Sequence, residues 1–82
     1  MEIERWKAIY ECAGDEPQNK TTLSELAHKA LKSKVGINLI CSDIDLMVQE
    51  GYLFQAKGNN NAKLLTQNPE KIPGSSKTTL SP

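Results

Sequence analysis

Five lysines carry the clearest chemistry in this sequence. Lys29, Lys32 and Lys34 crowd one short segment, while Lys57 and Lys63 flank a run of three asparagines, Asn59, Asn60 and Asn61. An ammonium on a flexible stem suits a polyanion whose charges repeat along a backbone, because each contact releases a counterion. Between the two lysine groups lie Asn38, Ser42 and Gln49, whose amides and hydroxyl can hydrogen-bond the edges of bases. Interleaved with them, Leu39, Asp43 and Leu46 form a second candidate set. Two apolar side chains beside a carboxylate suit a protein partner or self-association better than they suit a phosphate backbone.

Catalytic chemistry finds little support. His28, one turn after Glu25, is the single histidine, and a lone histidine there reads as solvated or capping. The chain has no Gly-rich phosphate loop, no nucleophile elbow and no Cys-x-x-Cys. The expectation is therefore no enzyme, no cofactor, no metal and no small-molecule ligand. Cys12 and Cys41 are far apart in sequence, with no apolar leader before them, and read as reduced core thiols of a cytoplasmic or, in a eukaryote, nuclear protein. No stretch reaches the ~18 apolar residues of a membrane span. Lys plus Arg equals Asp plus Glu at ten each, so no overall field draws the chain to nucleic acid or membrane. A basic face must instead come from segregation: Glu2, Glu4, Glu11, Asp15 and Glu16 gather near the N-terminus, away from the five lysines.

The elements that must position these residues follow from periodicity. Ile37, Ile40, Cys41, Ile44, Met47 and Val48 form an apolar stripe at helical spacing, stopped by Gly51, which can adopt the left-handed conformation that ends a helix. Facing outward from that stripe are Asn38, Leu39, Ser42, Asp43, Asp45, Leu46 and Gln49. Tyr52 to Lys57 and Ala62 to Thr66 then read as two strands joined through Gly58 and the asparagines, whose side chains tolerate positive φ. Upstream, Ile3, Trp6, Ile9, Tyr10 and Ala13 give a first helix over Glu2 to Ala13, and Gly14 to Lys20 reads as a loop. Thr22-Leu23-Ser24-Glu25 has the capping-box pattern, and Leu23, Leu26, Ala27, Ala30 and Leu31 continue it as a second helix. Lys32 to Gly36 joins the second helix to the third, with Gly36 permitting the turn. From Gln67 to Pro82 the chain turns to Pro, Ser and Thr, and a disordered tail is expected over 67–82.

Helix, short turn, helix, glycine, hairpin: the run TTLSELAHKAL, KSKVG, INLICSDIDLMVQEGYL and FQAKGNNNAKLLT resembles the winged helix-turn-helix superfamily. Thr22, Leu23, Glu25, Leu26 and Ala27 match its second-helix start, and Ile44, Met47, Gly51, Tyr52 and Leu53 match the ending of its third. The likeness spans residues 1–66. It implies an α+β domain, a small winged helix of three helices with a β-hairpin wing. It also implies a third helix that enters the major groove of duplex DNA while the turn and wing grip phosphates. That is the expected function, a transcriptional regulator with Lys29, Lys32, Lys34, Lys57 and Lys63 on phosphates and Asn38, Ser42 and Gln49 near bases. The sign of the third helix's outer face opposes it, since Asp43 and Asp45 would repel phosphates, and supports an interaction module using Leu39, Asp43 and Leu46. The superfamily serves both uses, so fold alone does not choose.

Overall fold

The computed structural model of the chain describes residues 2–58 and 62–74. Its elements are α1 (Glu2–Ala13), β1 (Gln18–Asn19), α2 (Lys20–Ala30), α3 (Ile37–Glu50), β2 (Leu53–Lys57) and β3 (Lys63–Gln67). β3 lies between β1 and β2 and pairs antiparallel with both. The result is a small α+β domain laid out as a winged helix, with three helices followed by a hairpin that packs beside α3.

One core joins every layer. Ile9, Tyr10 and Ala13 from α1 meet Leu23 and Ala27 from α2, Ile40, Ile44 and Met47 from α3, and Leu53 and Leu65 from the sheet. Ile37, Cys41 and Val48, expected on the same stripe of α3, are only partly buried. On α2 the buried face is rotated from the expected one: Ser24 is enclosed, its hydroxyl donating to the Thr21 carbonyl at 2.8 Å, while Leu26 stands exposed. A hydroxyl can occupy a core position when it is satisfied within its own turn.

The helix ends explain the connections. Gly51 sits at φ 93°, and Tyr52 N donates to Met47 O while Gly51 N donates to Val48 O, the paired bonds of a Schellman ending. α2 ends in the same way, with Ser33 N on His28 O and Lys32 N on Lys29 O. There the positive φ falls on Lys32 and Ser33, at 57° and 59°, and not on Gly36, whose backbone is extended and whose missing Cβ faces open space. The expected role of Gly36 is therefore taken by its predecessors.

Two boundaries also move. The expected Thr22–Glu25 capping box is replaced by an earlier start: Asn19 is the N-cap, and its side-chain oxygen accepts from Thr22 N at 2.8 Å. An Asn side chain caps as well as Thr, and it is held here because Gln18 and Asn19 form β1 opposite Leu65 and Leu64 of β3. The segment read as a loop thus contains β1, an edge strand of the sheet. At the other end, Gln67 belongs to β3, and the chain then folds back on the domain. Asn68 N donates to Tyr52 O, Asn68 Nδ2 to Gly51 O, and Lys71 Nζ to Glu50 O while lying 4.7 Å from the centre of the Tyr52 ring. Trp6 meets the same ring edge-on at 5.3 Å, and Pro73 is buried. Residues 67–73 of the segment expected as a tail thus make contacts with the domain; residues 75–82 lie outside the described residues.

The Tyr10 hydroxyl ties this return segment to α1, donating to the Asn68 carbonyl at 2.6 Å. Burial raises the hydroxyl above its ordinary pKa. The folded state then holds this proton more tightly than the unfolded chain, so the contribution is complete below pH ~10 and declines as pH rises beyond it. Tyr10→Phe is expected to cost about 1 kcal/mol in urea unfolding at neutral pH, and to flatten the loss of stability above pH 10.

Candidate functional site

The candidate residues lie on α3, on the turn that leads into it and on the hairpin that packs beside it. At the N-terminal end of α3 the α2–α3 turn carries Lys29, Lys32 and Lys34, all exposed. The turn is held from within. His28 Nδ1 lies 2.9 Å from the Val35 carbonyl, and since a carbonyl only accepts, the ring donates from Nδ1. His28 therefore fastens the turn. α3 itself opens without a side-chain cap and without an acidic residue in its first turn, leaving the N–H groups of that end turned to solvent and favourable to an anion.

Along α3, Asn38, Leu39, Ser42, Asp45, Leu46 and Gln49 are exposed, as their spacing predicts. Asp43 departs from the expectation. It is 2% exposed and its Oδ2 accepts from Arg5 Nε of α1 at 2.6 Å. Asp43 follows Ile40 by three residues and precedes Met47 by four, which places it at the margin of the apolar stripe. An arginine on the neighbouring helix decides that margin, turning a candidate surface carboxylate into an internal ion pair. Asp43 is thus removed from the protein-binding set proposed for Leu39 and Leu46.

Asp45 is exposed but engaged. Lys20, the first residue of α2, places Nζ 2.8 and 3.0 Å from its two carboxylate oxygens. Neither carboxylate of α3's middle turns is left without a cation. Lys20 was not singled out by spacing, because its role depends on β1 delivering the start of α2 beside α3.

The wing completes the site. Lys57 and Lys63 are directly opposed across the β2–β3 ladder. Gly58 N donates to Ala62 O, which marks that pair as hydrogen-bonded, so the adjacent Lys57/Lys63 pair is of the non-bonded kind with closely set side chains. By strand alternation both lysines share a face with Gln55 and Leu65, the face directed at α3. A cleft of about 120 Å³ opens there, floored by Ile44, Val48 and Leu65 and rimmed by Lys20, Asp45, Gln55 and Lys63. Gln55 was likewise missed, since alternation on a short strand does not say which face meets the helix. The asparagines expected at the wing tip, Asn59, Asn60 and Asn61, lie outside the described residues.

The remaining chemistry is sparse. Cys12 and Cys41 are free thiols, both partly buried, and burial, with a smaller contribution from Glu11, raises the Cys12 thiol. Among the described residues no cluster of His, Cys, Asp or Glu could hold a metal ion, and no helix is long and apolar enough to cross a membrane. No protein-family model, curated protein or solved structure matches this chain.

The ion pair keeps the Asp43 carboxylate enclosed, and its loss has a defined consequence. Arg5→Ala leaves the Asp43 carboxylate enclosed without its partner and is expected to cost about 3 kcal/mol in chemical denaturation. The double substitution Arg5→Met with Asp43→Leu should recover most of that loss, since an apolar pair of similar volume carries no desolvation cost.

Proposed function

We propose that this domain binds duplex DNA and acts as a small transcriptional regulator of the winged helix-turn-helix kind, with α3 in the major groove and the hairpin on the adjacent backbone. The observation that carries the reading is the Lys57–Lys63 pair. Like charges set directly across a ladder destabilise a hairpin, and among the described residues neither lysine has an ion-pair partner. A phosphate between them would turn that repulsion into attraction. The placement beside α3 matters as much as the charge, because Lys63 shares a cleft with Asp45 and Val48 of that helix.

The objection raised by the acidic residues of α3 loses force. Asp43 is internal and paired, Asp45 has Lys20 beside it, and Glu50, without an ion-pair partner among the described residues, sits in the last turn. The middle turns of the face that would enter a groove therefore carry little net charge. Lys29, Lys32 and Lys34 supply further positive charge beside the uncapped start of α3. A helix with polar residues in its middle turns, cations before its start and the wing lysines along its side is suited to a groove bordered by two rows of phosphates.

A second reading has one observation in its favour. Leu39 and Leu46 remain 46% and 42% exposed on the same helix, as an interaction module would require. It is the weaker reading because Asp43, the polar residue that framed the pair, is not at the surface.

Fluorescence anisotropy with a labelled random-sequence duplex, titrated between 50 and 200 mM salt, separates the two. On the DNA reading, affinity falls steeply with salt, and Lys57→Ala or Lys63→Ala weakens binding to every sequence while lowering the logarithmic salt slope by about 1. Affinity unchanged by both substitutions would remove the wing from the interface. Loss of a protein partner on Leu46→Asp, with the lysine variants unaffected, would establish the second reading instead.

A further inference from the structure

Resting on the DNA reading, we infer that the outer face of α3 selects A·T base pairs, with Leu39 and Leu46 against the methyl groups of thymines and Asn38 and Gln49 on adenines. The argument begins with what the helix lacks. Guanine is most often read in the major groove by Arg or Lys bonded to O6 and N7, and α3 contains neither. Cytosine is read by a free carboxylate accepting from its amino group; Asp43 is internal, Asp45 is engaged by Lys20 at the surface, and Glu50, exposed in the last turn of α3, lies outside the arc that carries Asn38, Leu46 and Gln49. The guanine-reading contact is thus absent from α3, and the one carboxylate within the outward arc, Asp45, already has a cation beside it.

What remains fits the other pair. At 100° per residue, Asn38, Leu39, Ser42, Asp45, Leu46 and Gln49 fall within an arc of roughly 120°, opposite the buried Ile40, Ile44 and Met47. The amides of Asn38 and Gln49 match the acceptor and donor that adenine displays at N7 and N6. Leu39 and Leu46, both exposed over nearly half of their surface, supply the apolar surface that suits the thymine C5-methyl, a group every other base edge lacks. They are two helical turns apart, about 10 Å along the axis, which corresponds to roughly three base-pair steps. An exposed apolar pair is costly on a free surface, and a methyl-lined groove flanked by phosphates for the wing lysines gives it a partner of matching chemistry. Charge complementarity with Lys57 and Lys63 chooses this occupant over an apolar protein surface, which would leave those cations unmatched.

The test compares three duplexes of equal length at one low salt concentration, by anisotropy with the full chain. One alternates dA and dT, so that a thymine methyl is present at every base pair whatever the register; a second replaces each dT by dU, deleting the methyls alone; a third is G·C only. The expected order is dT tightest, with about fourfold lost per methyl contact on going to dU, and G·C weaker by a further tenfold or more. Leu46→Ala, at an exposed position, should keep its fold by circular dichroism and bind the dT and dU duplexes more nearly alike. Equal affinity of the native chain for dT and dU, or discrimination undiminished in both Leu39→Ala and Leu46→Ala, overturns the inference while salt-dependent binding keeps the DNA reading intact. Absence of binding to all three duplexes at low salt overturns both. Sedimentation of the free protein supplies the last outcome: a concentration-dependent dimer abolished by Leu46→Ala would assign this face to a second copy and overturn the inference too.

Discussion

The internal ion pair between Arg5 and Asp43 governs how the domain presents itself. It spans α1 and α3 at 2.6 Å with the carboxylate almost fully enclosed. Such a pair adds little net stability, because desolvating two charges consumes most of their attraction. Its effect is directional. By holding Asp43 against α1, it keeps this carboxylate off the solvent-facing arc, in the same rotation that Ile40, Ile44 and Met47 take by facing the core. Were α3 rotated by one position, the carboxylate would be outside and part of the apolar stripe with it.

The rest of the architecture keeps that helix in place from the other sides. β3 is the central strand, gripped by β2, the first half of the wing, and by the two residues of β1. β1 in turn positions Asn19 to cap α2 and Lys20 to reach Asp45. A strand of two residues has almost no stability of its own, yet it ties the sheet, the start of α2 and the flank of α3 into one arrangement. The return segment closes the far end, where Asn68 and Lys71 take carbonyls left open by the end of α3 and the residues after it. A domain this small gains from using its chain after the last strand as cover for core edges.

Charge is distributed by the same contacts. A chain of zero net charge has no field to steer a polyanion, so any affinity for one must come from the local arrangement. Here Asp43 and Asp45, the carboxylates of the middle turns of α3, are drawn into pairs with Arg5 and Lys20, while Lys57 and Lys63 stand together across the wing. Sorting of this kind leaves composition unchanged and alters the surface that a partner would meet.

The three helices, the left-handed stop at Gly51 and the hairpin were legible in the sequence, because each rests on local periodicity or on a residue with special backbone freedom. The exposure of Asn38, Leu39, Ser42, Leu46 and Gln49 was legible for the same reason. Tertiary structure alone decided the rest. β1 is too short to carry an alternation pattern; Asp43 finds a partner 38 residues away; Asn19 displaces a capping box that looked complete; Lys32 and Ser33 accept the positive φ that Gly36 seemed placed to supply. Local pattern tells which face of an element is apolar, but the fate of a polar residue at the edge of that face depends on what another element brings to it. That information lies in the packing, where a single arginine on α1 outweighs the preference of a carboxylate for water.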